Sequence, residues 1–179
     1  IVASLVGSEM CIRDSSTHMS FSGTISGTGG ITKFGWAKLS LTGAKNYVGN
    51  TVVNEGTLLS EGSAMSSDVS VADGAGFEIY LPSASDAVTY SNIISGEGGF
   101  AKTGSGTLTF DQAHTYSGRT SINEGTLKTT SAGSLSNVTA VGGWNAAKYE
   151  LGSDDEVGSI EGSGSCLLYT SPSPRDWLQ

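Results

Sequence analysis

The sequence predicts an all-β protein whose chain winds through stacked coils as a β-solenoid. Three observations carry that expectation. Apolar and polar residues alternate in short runs such as Leu39-Ser40-Leu41, Val69-Ser70-Val71 and Phe77-Glu78-Ile79-Tyr80, which is the period of a strand with one face buried. Gly, Asn, Asp or Ser punctuates each run, and no stretch shows useful helical spacing. The chain also repeats itself: "SGTGGITKFGWAKLSLTGAKNYVGNTVVNEGTL" from Ser26 to Leu58 aligns without a gap on "SGEGGFAKTGSGTLTFDQAHTYSGRTSINEGTL" from Ser95 to Leu127, and close to half of the aligned positions are identical. The offset of about 69 residues is an internal period, the mark of a repeat architecture.

Short strands bury little alone, whereas stacked coils lay each apolar row on the next. A third of that offset gives coils of about 23 residues, the size of one β-solenoid turn. The repeat cores are therefore 26–58 and 95–127, and a truncated third copy begins at about Val157 with "VGSIEGSGS". Within each copy the glycines serve sharp turns, many needing φ > 0. Gly35, Gly49 and Gly56 sit at strand edges, as do their second-copy partners Gly104, Gly118 and Gly125. Asn54 and Asn123 precede an acidic residue and Gly, a sequence suited to an Asn-assisted corner. Tyr47 and Tyr116 read as packing anchors. His114 stands where the first copy has Lys45, and reads as an exposed loop residue.

The two ends differ in character. "IVASLVGSEMCIRDS" and "CLLYTSPSPRDWLQ" hold both cysteines, Cys11 and Cys166, and two of the three prolines. A DNA string that encodes Ile1 to Ser15 has a reverse complement that encodes Cys166 to Gln179, and its core resembles a transposase adapter used in preparing sequencing libraries. Segments 1–15 and 166–179 are thus expected to be adapter-derived, disordered tails around a β-solenoid segment 16–165. No Cys11–Cys166 disulfide is expected.

The chain is acidic, with a formal net charge of −8. Between the tails there is one arginine, Arg119, and six scattered lysines. That argues against nucleic acid as a partner, since phosphate binding needs clustered cations.

The pattern G-x-G-G-ϕ-x-K-x-G…L-x-L…Y-x-G-x-T-x-ϕ-N-x-G-T-L resembles the autotransporter-associated β-strand repeat, also called the passenger-associated transport repeat. The second copy follows it nearly throughout; the first departs at Trp36-Ala37-Lys38, where the family has small residues and Gly. The resemblance implies a right-handed parallel β-helix of about six to seven coils. It implies a passenger segment of a Gram-negative secreted protein, exported to the cell surface or beyond beside a C-terminal outer-membrane β-barrel.

No constellation for catalysis, cofactor or metal binding emerges. Asp68, Asp73, Glu78, Asp86, Glu97 and Asp111 share no motif, and Asp154-Asp155-Glu156 lacks the spaced ligands of a calcium loop and reads as a solvated turn. Asn137-Val-Thr fits a glycosylation acceptor that a bacterial source makes uninformative. Two function classes follow. The favoured one is a structural or folding segment without catalysis. The alternative is an adhesin-type surface for host or bacterial glycans or proteins, with Phe34, Trp36 and Trp144 as the candidate contacts.

Overall fold

A computed structural model describes residues 3–5, 10–13, 18–63, 65–130, 132–135, 140–144, 147–151, 159–162 and 167–170. All regular structure in these residues is strand, and every strand pairing is parallel. The chain passes three faces per coil. The first face holds Ala3–Leu5, Ile25–Gly27 and Lys45–Tyr47, then a second stack of Ala87–Tyr90, Thr107–Phe110, Thr126–Thr129, Lys148–Leu151 and Leu167–Thr170. Residues 65–67 join the two stacks: Ser66 Oγ donates to Tyr47 O (2.7 Å), and Tyr90 Oη donates to Ser67 O (3.1 Å).

The second face holds Met10–Arg13, Ile31–Phe34, Thr51–Val53, Val69–Val71 and Ile94–Gly96. It continues where Thr115 N–H and Ser117 N–H bond Ile94 O and Gly96 O. The third face is eight strands deep, from Met19–Phe21 through Lys38–Leu41, Thr57–Glu61, Gly76–Tyr80, Gly99–Thr103, Thr120–Ile122 and Ala140–Gly143 to Ser159–Gly162. The expected stack of parallel coils is therefore present.

Alternation builds the core as the sequence implies. Leu39, Leu58, Phe77 and Phe100 stack in register down the third face, all buried. Aromatic rings fill the centre: Phe77–Phe100 centroids lie 6.0 Å apart, Phe100–Phe110 5.3 Å and Tyr90–Phe110 6.0 Å, all tilted. Such pairs add to the burial of apolar area and fix ring positions.

One expectation is corrected here, the coil length, which is not uniform and mostly falls short of a third of the repeat. Along the third face the register runs Met19, Leu39, Leu58, Phe77, Phe100, Thr120, Val141, Ile160. Only the step from Phe77 to Phe100 reaches the expected length of about 23 residues; every other step is shorter. The repeat consequently spans three coils plus one face. Ile25 starts the first copy on the first face, and Ile94 starts the second on the second face. Ile160, in the "IEGSG" where the sequence predicts a truncated third copy, lies on the third face. Each copy is turned by one side of the triangle. Sequence periodicity fixes the length of a repeat but not the number of faces within it. The three faces are close enough in strand length and inward packing for one motif to occupy any of them.

At the ends, Ala3–Leu5, Met10–Arg13 and Leu167–Thr170 are strands, in register with Ile25–Gly27, Ile31–Phe34 and Lys148–Leu151. The physical reason is that a coil edge presents a row of unpaired N–H and C=O groups that an adjoining extended segment satisfies. The rest of the two tails, with Cys166, lies outside the described residues.

The register predicts a cross-linking result. With Cys11 and Cys166 replaced by Ser, a cysteine pair at Ala101 and Ser121, which face one another on adjacent strands, oxidises to a disulfide. A pair at Ala101 and Glu124, the partners that the longer expected coil would bring together, stays reduced. Adjacent parallel strands hold Cα atoms within the ~4.4–6.8 Å a disulfide spans. Non-reducing electrophoresis with mass spectrometry distinguishes the two.

Candidate functional site

The three apolar surface candidates do not converge. Trp36 is 82% exposed, at the corner between the Ile31–Phe34 and Lys38–Leu41 strands. Phe34 ends the first of those strands and is half-buried. Trp144 follows Ala140–Gly143, at the opposite edge of the third face and five coils along; at ~4.8 Å per coil that is ~24 Å. Trp144 has its own partners. The Arg119 guanidinium lies 4.7 Å above its ring, a cation–π arrangement, and Arg119 also reaches Glu161 at 3.4 Å. Trp36 remains the exposed aromatic tip; Trp144 belongs to a separate Arg119–Trp144–Glu161 cluster.

Between them on the third face lies a shallow open groove of about 280 Å³. Gly76 and Gly99, paired in register, leave its floor without side chains, and Glu78 and Arg119 line it. Glu78 is already held by Lys38 (2.6 Å) and by the Thr103 hydroxyl (2.8 Å). The groove thus offers a mixed polar and apolar surface whose charges have partners.

The carboxylates that look scattered in sequence brace corners. Asp68 accepts Ile93 N–H (2.8 Å), Asp86 accepts Ser83 N–H (2.9 Å), and Asp111 accepts the Ser91 hydroxyl (2.8 Å). Among the described residues no three His, Cys, Asp or Glu side chains are grouped to hold a metal ion. Asp154-Asp155-Glu156 and Asn137 lie outside the described residues.

The sequence motif resolves into corner chemistry. Lys33 and Lys102, the "K" of both copies, are fully buried. Lys33 Nζ donates to Gly35 O (2.7 Å) and to Glu55 O (3.1 Å) one coil away. Lys102 Nζ repeats this with Gly104 O (2.5 Å) and Glu124 O (3.0 Å), and adds Thr103 O (3.2 Å). Glu55 turns back to accept Gly35 N–H at 2.7 Å. K-x-G and N-E-G, one coil apart, are therefore two halves of one brace. Gly56 and Gly125 close it. Both have positive φ, and a Cβ there would lie 2.6 Å from Gly35 O or 2.4 Å from Gly106 O. Gly49 and Gly118 answer a different need. Neither has positive φ; a Cβ on either would meet the backbone of the coil below at 2.4 or 2.3 Å.

Burial pushes the Lys102 ammonium down to about 8, against the opposing pull of Glu124. Lys45 is a third example: it donates to Leu41 O, Gly43 O and Glu61 O, and burial likewise pushes it down to about 8, with Glu61 opposing. Sequence reading counts these lysines as scattered surface charge. For Lys33 and Lys102 the signal that reveals them is recurrence in register within a strand; Lys45, replaced by His114 in the second copy, carries no such signal.

Tyr47 and Tyr116 are buried anchors, as their place in the pattern implies. Each hydroxyl meets the Thr one turn of the pattern on, Thr51 or Thr120, across a corner, which accounts for Y-x-G-x-T. His114 is a correction. It is 3% exposed, packed between Phe110 and Tyr90 rather than on an open loop. Tertiary packing overrides the polar appearance of "DQAHT": the ring points inward, as Lys45 does at the equivalent position.

Similarity to known proteins follows the same motif. Residues 31–59 and 100–128 each match the passenger-associated-transport-repeat family. The chain is 34% identical, over 73% of its own length, to the adhesin BmaC autotransporter of Brucella suis biovar 1 (strain 1330). It spans about 4% of the length of that relative. No solved structure matches it.

The lysine brace predicts a specific weakness. Lys102→Met keeps the buried stem but strands the carbonyls of Gly104 and Glu124, while Thr103 O keeps the Leu81 N–H, at about 1–3 kcal/mol for each unsatisfied group. The expected loss is about 2 kcal/mol or more, roughly 4–8 °C in Tm for a chain of this size. Lys128→Met, which removes an exposed partner of Glu150, shifts Tm by about a degree at most. Calorimetry of the two variants makes the comparison.

Proposed function

We propose that this chain, which carries two passenger-associated transport repeats, serves as a structural and folding segment of a secreted autotransporter passenger at the surface of a Gram-negative bacterium, and performs no catalysis. The observation that carries this reading is that the residues defining the repeat are engaged in the coil itself. The Lys, the Asn-Glu-Gly, the Tyr and the Thr of each copy brace corners or fill the core. Of the described residues left exposed, Ser, Thr and Asn form the largest group. A rod built this way extends by adding coils, each resting on the one before. The full protein would carry a C-terminal outer-membrane β-barrel, as the autotransporter relative's name implies.

An adhesive surface is the second reading. It is favoured by the relative, which is an adhesin, and by Trp36, whose exposure on a corner is unusual for a residue of that size. Its ligands would be glycans or proteins of host or bacterial surfaces.

Display on an outer-membrane barrel separates the two. In the structural role, Trp36→Ala and Trp144→Ala leave adherence of displaying cells unchanged, while deleting the coils between Ile31 and Leu59 lowers the protease-resistant passenger at the surface. Adherence that falls in the Trp variants at equal display would favour the adhesive reading.

A further inference from the structure

The two copies of the repeat align without a gap, and they differ at one buried point with chemical consequence. In the first copy Ile25 N–H bonds the backbone carbonyl of Ala44 at 2.8 Å, the ordinary link between coils. In the second copy the equivalent Ile94 N–H instead donates to the side chain of His114, at Nδ1 and 3.1 Å. The backbone N–H of His114 donates onward to Ser134 O at 3.0 Å. One imidazole therefore stands in the ladder that joins three successive coils.

We propose that His114 makes this junction an acid-opened seam, closed while the imidazole is neutral and released when it takes up a proton. Accepting from Ile94 N–H requires a bare Nδ1, so the neutral ring carries its proton on Nε2. A second proton has only Nδ1 to go to. Two N–H groups then face each other at about 3 Å, and the link between coils is lost. Asp111 offsets the charge only in part. The ring is buried between Phe110 at 3.9 Å and Tyr90 at 5.9 Å, with Tyr116 at 6.3 Å. Its Nε2 is buried without a hydrogen-bond partner.

The titratable groups around it are few. Asp111, on the same turn, has Oδ2 on Ser91 and a buried Oδ1 without a partner. From the coils below come Tyr90 and Asp68, the latter engaged by Ile93 N–H. Ser134 and Leu135, from the coil above, bring no charge. Burial pushes the imidazole down to about 4, with Asp111 opposing. The unfolded ring titrates near 6.5, so between these values the opened or unfolded state binds more protons. The contribution of the seam is intact above about pH 6.5, declines as pH falls and is lost through about pH 4. Lys45, at the equivalent position in the first copy, holds three carbonyls and leaves Ile25 on its backbone acceptor, so that junction has no such dependence.

The test is NMR on the whole chain. The His114 ring is titrated through its carbon-bound protons, and amide protection factors are measured at Ile94 and Ile25 from pH 7 to pH 3.5. The expected result is a His114 midpoint near 4, at least a tenfold loss of protection at Ile94 that develops as pH falls below about 6.5 and levels off below about 4, and unchanged protection at Ile25. His114→Gln keeps an acceptor that does not titrate, and should hold Ile94 protection across the range. His114→Lys, which installs the side chain of the first copy, is a second check and should likewise hold it. A His114 midpoint near 6.5 without change at Ile94 overturns the proposal. So does the same loss at Ile94 in His114→Gln, since Asp111 is retained there and would then be the group responsible.

Discussion

A coil that turns three times per circuit must bend its backbone out of the ladder at each corner, and the carbonyls released there point toward the buried core. A buried carbonyl without a donor costs about as much as a lost hydrogen bond. The chain meets this constraint with donors that reach the corners from inside or from the next coil: the ammonium groups of Lys33, Lys45 and Lys102, and the hydroxyl of Tyr90. An ammonium suits the task because it has three donors and no acceptor. The bonds from Lys33 and Lys102 cross between coils, so the device that completes one corner also sets the position of the next.

This explains why the repeat is recognisable as a sequence. Core positions exchange freely, Ile31 for Phe100 and Val53 for Ile122, because apolar packing accepts swaps of roughly similar volume. Corner positions are held by geometry. Lys must be followed by a Gly with positive φ at Gly35 and Gly104, and Asn-Glu-Gly must return about one coil later with its own Gly in the same region. Turning each copy by one face leaves these local demands unchanged.

Strand alternation, the repeat length and the roles of Tyr47 and Tyr116 were legible from sequence, because they depend on neighbours within a short stretch. The face rotation was not. It depends on the sum of many small corner lengths, such as the longer passage between Tyr80 and Ala87. Nor was the inward orientation of His114 and the lysines, whose polarity says surface while their register says core. Of the candidate contacts, exposure of Trp36 was legible from its place in a corner, whereas the Arg119–Trp144–Glu161 cluster joins residues from different coils that no local pattern links.

The central claim is that buried ammonium groups hold the corners together, and it is tested most directly by nitrogen-detected NMR of the Lys102 side chain. The structure requires a slowly exchanging ammonium at neutral pH, with couplings through hydrogen bonds to the carbonyl carbons of Gly104 and Glu124, and a midpoint near 8 rather than the ordinary 10.5. A rapidly exchanging Lys102 amine with no such couplings and an ordinary midpoint would place the side chain in solvent and contradict the account.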